Sequence, residues 1–127
     1  MLELLKSIYG DNAGTQYGYS CKENALKHTA LAIRADIFVQ ILYIEKIGHA
    51  YISDGINAYS RDLTWRDERF PELNLEQIRK LGGTDITREL LKAGAVDLSS
   101  WPFGLVLSNL EKKIPGIMNS IHAYLHT

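Results

Sequence analysis

Apolar residues recur at steps of three and four along much of this chain, the spacing of helices that bury one face. The longest such run follows a capping signature, Ser20-Cys21-Lys22-Glu23, in which the Ser hydroxyl and Glu carboxylate answer each other's backbone N–H groups. Leu26, Ala30, Ile33, Ile37, Ile41 and Ile44 form one stripe, and Leu31, Ala35, Phe38 and Leu42 a second beside it. Neither glycine nor proline occurs between Cys21 and Ile47, and Gly48 follows. The pattern predicts one helix over 20–48, roughly 40 Å long at about 1.5 Å per residue. So apolar a rod has to be wrapped by other elements or by a partner.

Shorter helices are predicted around it. Leu2, Leu4, Leu5 and Ile8 give an amphipathic start that Gly10 stops. Residues 10–20 form a glycine-rich connector, and the absence of a Gly-Lys-Ser/Thr ending removes the phosphate-loop pattern. Asn74 with Gln77 opens a helix ended by Gly82-Gly83, and Thr84 caps the next, which Gly94 ends. Ser100 and Trp101-Pro102 open another, and Pro115 separates it from a last helix carrying Ile117, Met118, Ile121 and Leu125. The expected fold is all-α, a single domain over 1–127 with about six helices around one long central helix.

An α+β alternative rests on two features. Ile37 to Ile44 is rich in β-branched and aromatic residues, and Asp54-Gly55 would then be a hairpin turn between His49–Ser53 and Ile56–Ser60. The lack of any breaker after the strongly helical Ala25–Asp36 favours the helix.

Composition narrows the classes. At 127 residues, with 46% apolar and 23% charged residues, the chain can bury a real core. Fourteen basic and fifteen acidic residues nearly cancel, and even the most basic window, Arg61 to Lys92, holds as many acids as bases. That balance argues against nucleic acid as a partner. A lone cysteine, Cys21, excludes an internal disulfide and suits a reducing compartment. The acidic first turn does not resemble a signal peptide, and charges interrupt 20–48 too often for a membrane span. A cytoplasmic protein is expected, with no membrane partner.

Four groupings bear on chemistry. Residues 75–92 superficially form a helix-turn-helix in which Thr87, Arg88 and Lys92 would face DNA, but Asp85 and Glu89 would face the same phosphates. His122 and His126 share a helix face without the glutamate that metalloproteases place after the first histidine, so no metal and no cofactor are expected. Cys21 at a helix start, and His49 after Gly48 where a helix C-terminus would raise its pKa, are the groups a cryptic enzyme would use. Plain packing is the competing reading of both.

The fourth grouping is the aromatic and arginine-rich segment 51–70. Tyr51, Tyr59, Arg61, Trp65, Arg66 and Arg69, with Phe70, are residue types that dominate protein–protein contacts, and Asp54, Asp62, Asp67 and Glu68 would supply rim charges. The alternative is that these aromatics close the core beneath a long connection. The reading this favours is a non-enzymatic protein-binding module of the immunity or antitoxin type. Such a module occludes the active site of a toxin or effector enzyme, and self-association is also compatible with the pattern.

Overall fold

The computed structural model describes residues 2–14, 18–60 and 70–127. Along them run α1 (Leu2–Tyr9), α2 (Cys21–Arg34), β1 (Gln40–Ile44), β2 (His49–Ser53), β3 (Asn57–Tyr59) and β4 (Leu73–Asn74). Then follow α3 (Leu75–Lys80), β5 (Thr84–Asp85), α4 (Thr87–Val96), α5 (Phe103–Lys113) and α6 (Ile117–Leu125). The strands form one antiparallel sheet in the order β4-β3-β2-β1-β5. The fold is therefore α+β, and the all-α expectation is wrong.

The error has a definite site, the end of α2. The Ser20–Glu23 capping box forms as expected, with the Glu23 carboxylate 2.5 Å from the Ser20 N–H. The helix then stops at Arg34 in a Schellman turn. The N–H of Ile37 donates to the Ala32 carbonyl at 2.8 Å and that of Asp36 to the Ile33 carbonyl at 3.1 Å. Asp36 holds the left-handed position, φ +58°, which glycine usually fills. An aspartate tolerates that conformation better than most residues, and in a sequence it does not read as a stop. The same turn ends α3 through Gly82 and Gly83, where glycine announces it.

Beyond the turn the chain is extended, and the hairpin of the α+β alternative is what the structure adopts. Ile41 pairs with Ile52 and Leu42 with Tyr51, and Ser53 pairs with Ala58 across the Asp54-Gly55 turn. Asp54 Oδ1 accepts the N–H groups of Ile56 and Asn57, both at 2.9 Å, and Gly55 supplies φ +96°. Gly48 ends a 3₁₀ turn, Glu45–Ile47, rather than a long helix. His49 opens a strand and feels no helix C-terminus of the kind expected.

Both faces of this sheet are covered. Ile41, Ala50 and Ile52 join the helices in the main core with Leu26, Leu31, Leu91, Leu107 and Ile121. Leu42, Ile44, Tyr51 and Ala58 turn to the other face, where Ile78 of α3 closes a second, smaller core. A strand buried on both faces shows no polar alternation. The run Ile41-Leu42-Tyr43-Ile44 consequently falls into step with the helical stripe by coincidence.

Within the helical layer, α2 is buried on every face from Glu23 to Ala32. Its polar side chains turn onto the carbonyls of the glycine-rich connector. His28 Nε2 lies 2.9 Å from the Ala13 oxygen, Asn24 donates to Tyr19 at 3.2 Å, and Lys27 donates to Gly14. Two smaller expectations also change. Thr84 lies in β5 and caps nothing; Asp85 instead accepts the Thr87 N–H at 2.9 Å. Gly94 lies inside α4 because α5 packs against it, leaving a Cβ 2.7 Å from Leu107 and 3.0 Å from the Phe103 carbonyl. Among the described residues no helix is long and apolar enough to cross a membrane.

Candidate functional site

Of the nine residues assigned to a partner surface from the sequence, Arg61, Asp62, Trp65, Arg66, Asp67, Glu68 and Arg69 lie outside the described residues. Tyr51 is 1% exposed, and its hydroxyl donates to the Pro71 carbonyl at 3.2 Å. It is a core residue, so its assignment to a contact surface does not hold. Tyr59 is half-buried and leans on the hairpin turn, its hydroxyl 3.4 Å from Asp54 Oδ2. Burial pushes the Asp54 carboxyl up, but the N–H groups of Asn57 and Ile56 and the Tyr59 hydroxyl outweigh it and hold the pKa below the usual range. Burial, followed by the Asp54 charge, raises Tyr59.

The groups available to a cryptic enzyme are kept apart. His49 is buried in the second core, stacked on Phe70 with centroids 3.8 Å apart and edge-on to Tyr51 at 5.0 Å. Cys21 is half-buried in the first turn of α2 against the main core, so the sheet lies between the two. The helix-turn-helix also dissolves. β5 intervenes between α3 and α4, and Ile78 and Leu91 bury into opposite faces of the sheet. Thr87 is engaged with the Ile41 N–H at 2.8 Å, and Arg88 donates to the Tyr124 and Leu125 carbonyls at 3.3 and 2.6 Å. His122 and His126 are exposed, and among the described residues no group of three metal-ligating side chains converges.

Two other surfaces emerge. The first is the α4–α5 connection, where Val96 and Trp101 are 85% and 82% exposed and Leu98 is also exposed. Such side chains in a slack loop would fold onto the protein, but this loop is tied. Asp97 Oδ1 accepts both the N–H and the hydroxyl of Ser99, at 2.9 and 2.6 Å. The Asp97 carbonyl accepts the N–H and hydroxyl of Ser100 at 3.0 and 2.7 Å. Gly104 sits so close beneath that a Cβ would collide with the Asp97 carbonyl. The Ser99 hydroxyl, then its N–H, holds the Asp97 carboxyl below its ordinary pKa, so the tie is intact at neutral pH.

The second is a groove of about 500 Å³ where the ends of α2 and α6 meet the 36–39 link. Ile33, Ile37, Val39, Ala123 and Tyr124 line it, with Asp36, Ser120 and Thr127 as its polar members and Phe38 at its wall. Phe38 is 64% exposed and packs toward Gly55 at the hairpin turn, beside Ile56, which is 72% exposed. Sequence reasoning missed this surface because it placed Phe38 inside a helical stripe. Trp101 was legible only as a helix opener. No local signal marks either as exposed, since exposure is settled by what packs nearby.

Comparison with models of known protein families, with characterised proteins and with solved structures finds no match for this chain.

Proposed function

We propose that this chain is a protein-binding module that neutralises a partner by inserting the 96–101 loop into a concave apolar site. The observation that carries the reading is Trp101, 82% exposed on a loop that Asp97 and the close approach of Gly104 hold in one shape. A convex apolar tip fits the concave, mostly apolar sites in which enzymes bind substrates. Its rigidity removes much of the ordering cost that a mobile loop bears on binding. Tryptophan is the residue type that most often dominates such contacts. Arg61, Asp62, Trp65, Arg66, Asp67, Glu68 and Arg69 remain additional partner-contact candidates.

Trp101→Ala tests the reading. The side chain is exposed, so the variant keeps its melting temperature, as surface substitutions do within about 0.5 kcal/mol. Affinity for a stoichiometric partner recovered from native extract falls by at least about 30-fold, the equivalent of about 2 kcal/mol. The partner's own activity, inhibited one-to-one by the wild-type chain, returns. Unchanged affinity refutes the loop as the contact, and a tightly bound partner that stays fully active refutes neutralisation.

A further inference from the structure

The groove between α2 and α6 carries a chemical preference that the 96–101 loop does not. Its lining is mainly apolar, and two of its hydroxyls have their protons engaged by the backbone. The Ser120 hydroxyl proton is engaged with the Gly116 carbonyl at 3.2 Å, and the Thr127 hydroxyl proton with the Tyr124 carbonyl at 2.7 Å. Asp36 is exposed at the rim, and its backbone N–H, not its carboxylate, makes the turn's hydrogen bond to Ile33. The end of α2 adds no charge of its own, since the Schellman turn engages its last carbonyls and Arg34 stands in its last turn. The partial negative charge at the end of α6 is already met by Arg88, bound to the Tyr124 and Leu125 carbonyls.

An occupant therefore has to bring apolar surface together with positively charged donors. The geometry points to a segment of a partner protein in which an aliphatic or aromatic side chain stands next to Lys or Arg. The apolar part lies on Ile33, Ile37 and Ala123, and the cation reaches Asp36. The apolar surface continues past the groove onto Phe38 and Ile56. That area exceeds what a small amine covers and favours a macromolecular occupant. Asp36 itself fits this role. It holds a left-handed position that glycine would occupy without steric cost, and there it sets a carboxylate at the groove's edge.

The inference stands on the groove alone and survives or fails independently of the Trp101 loop. The probes are two fluorescently labelled amphipathic peptides with the same leucines, one carrying lysines and the other glutamates, read by anisotropy against the full chain. The lysine peptide binds at least ten-fold more tightly than the glutamate peptide at low salt. Asp36→Asn keeps the left-handed turn, because asparagine tolerates it, and reduces the preference to less than about three-fold with no loss of thermal stability. Ala123→Gln, at an exposed groove position, abolishes binding of both peptides while the fold stands.

Lysine-peptide binding that persists unchanged in both variants places the attraction elsewhere and overturns the proposal. Equal binding of the two peptides, or no binding of either, overturns it as well. Dimerisation in sedimentation that Phe38→Ser abolishes gives the groove to a second copy of the chain instead.

Discussion

Removing the Glu111 carboxylate measures how the last helix is held in place. The α6 N-terminus follows Pro115 and has Gly116 at its cap position, so no side chain of its own satisfies the first N–H groups. Glu111, on the preceding helix, does this from outside. Its two carboxylate oxygens accept the N–H groups of Gly116 and Met118, each at 3.1 Å. The Met118 bond first, and the Gly116 bond second, hold the Glu111 carboxyl below the usual glutamate pKa, with Arg34 adding a smaller pull. Glu111→Ala loses a helix cap worth about 0.5–2 kcal/mol together with the charge–dipole attraction of about 0.3–1 kcal/mol. A total near 2 kcal/mol is expected for this half-buried site. At about 2.1 cal/mol/K of unfolding entropy per residue, a chain of this size loses about 7 °C in melting temperature.

Glu111→Gln isolates the charge, because its amide oxygen still accepts a hydrogen bond. About 1 kcal/mol is expected for it, the charge–dipole part. The pH dependence fixes the sign. A carboxyl with a lowered folded pKa binds fewer protons in the native state. Its contribution is complete above the unfolded value of about 4.3 and is lost as pH falls through the folded value. Calorimetric melting of wild type and Glu111→Gln at pH 7 and pH 3 checks this, since acid effects common to both proteins cancel in the difference. The gap narrows at pH 3. A gap of equal size at both pH values refutes the charge argument and leaves packing as the cause.

Two further outcomes follow from the packing. Gly94→Ala drives a methyl against Leu107 and the Phe103 carbonyl, and lowers stability by about 1–3 kcal/mol in urea unfolding, although alanine is the better helix former. Tyr51→Phe removes the hydroxyl that donates to Pro71 and lowers stability by about 1 kcal/mol, with partner affinity unchanged, as a core residue requires.

The order of residues carries most of the local punctuation. Both capping boxes, the glycine stop after α3, the break at Pro115 and the Asp54-Gly55 turn are written in neighbouring residues, because each depends on hydrogen bonds that span only a few positions. It also determined that α2 would be swathed in other elements, since its apolar rows run on more than one side. That Phe38–Ile44 leaves the helix is visible in the packed fold alone. An aspartate made the turn, and the covering of both sheet faces removed the alternation that marks a strand. The same holds for the surfaces. Tyr51 and Trp101 are alike as large amphipathic aromatics, yet one anchors a core and the other stands in solvent. For Tyr51 that difference comes from a residue distant in sequence, Pro71, which accepts its hydroxyl, whereas the Asp97–Gly104 lock beside Trp101 is made by near neighbours in the chain.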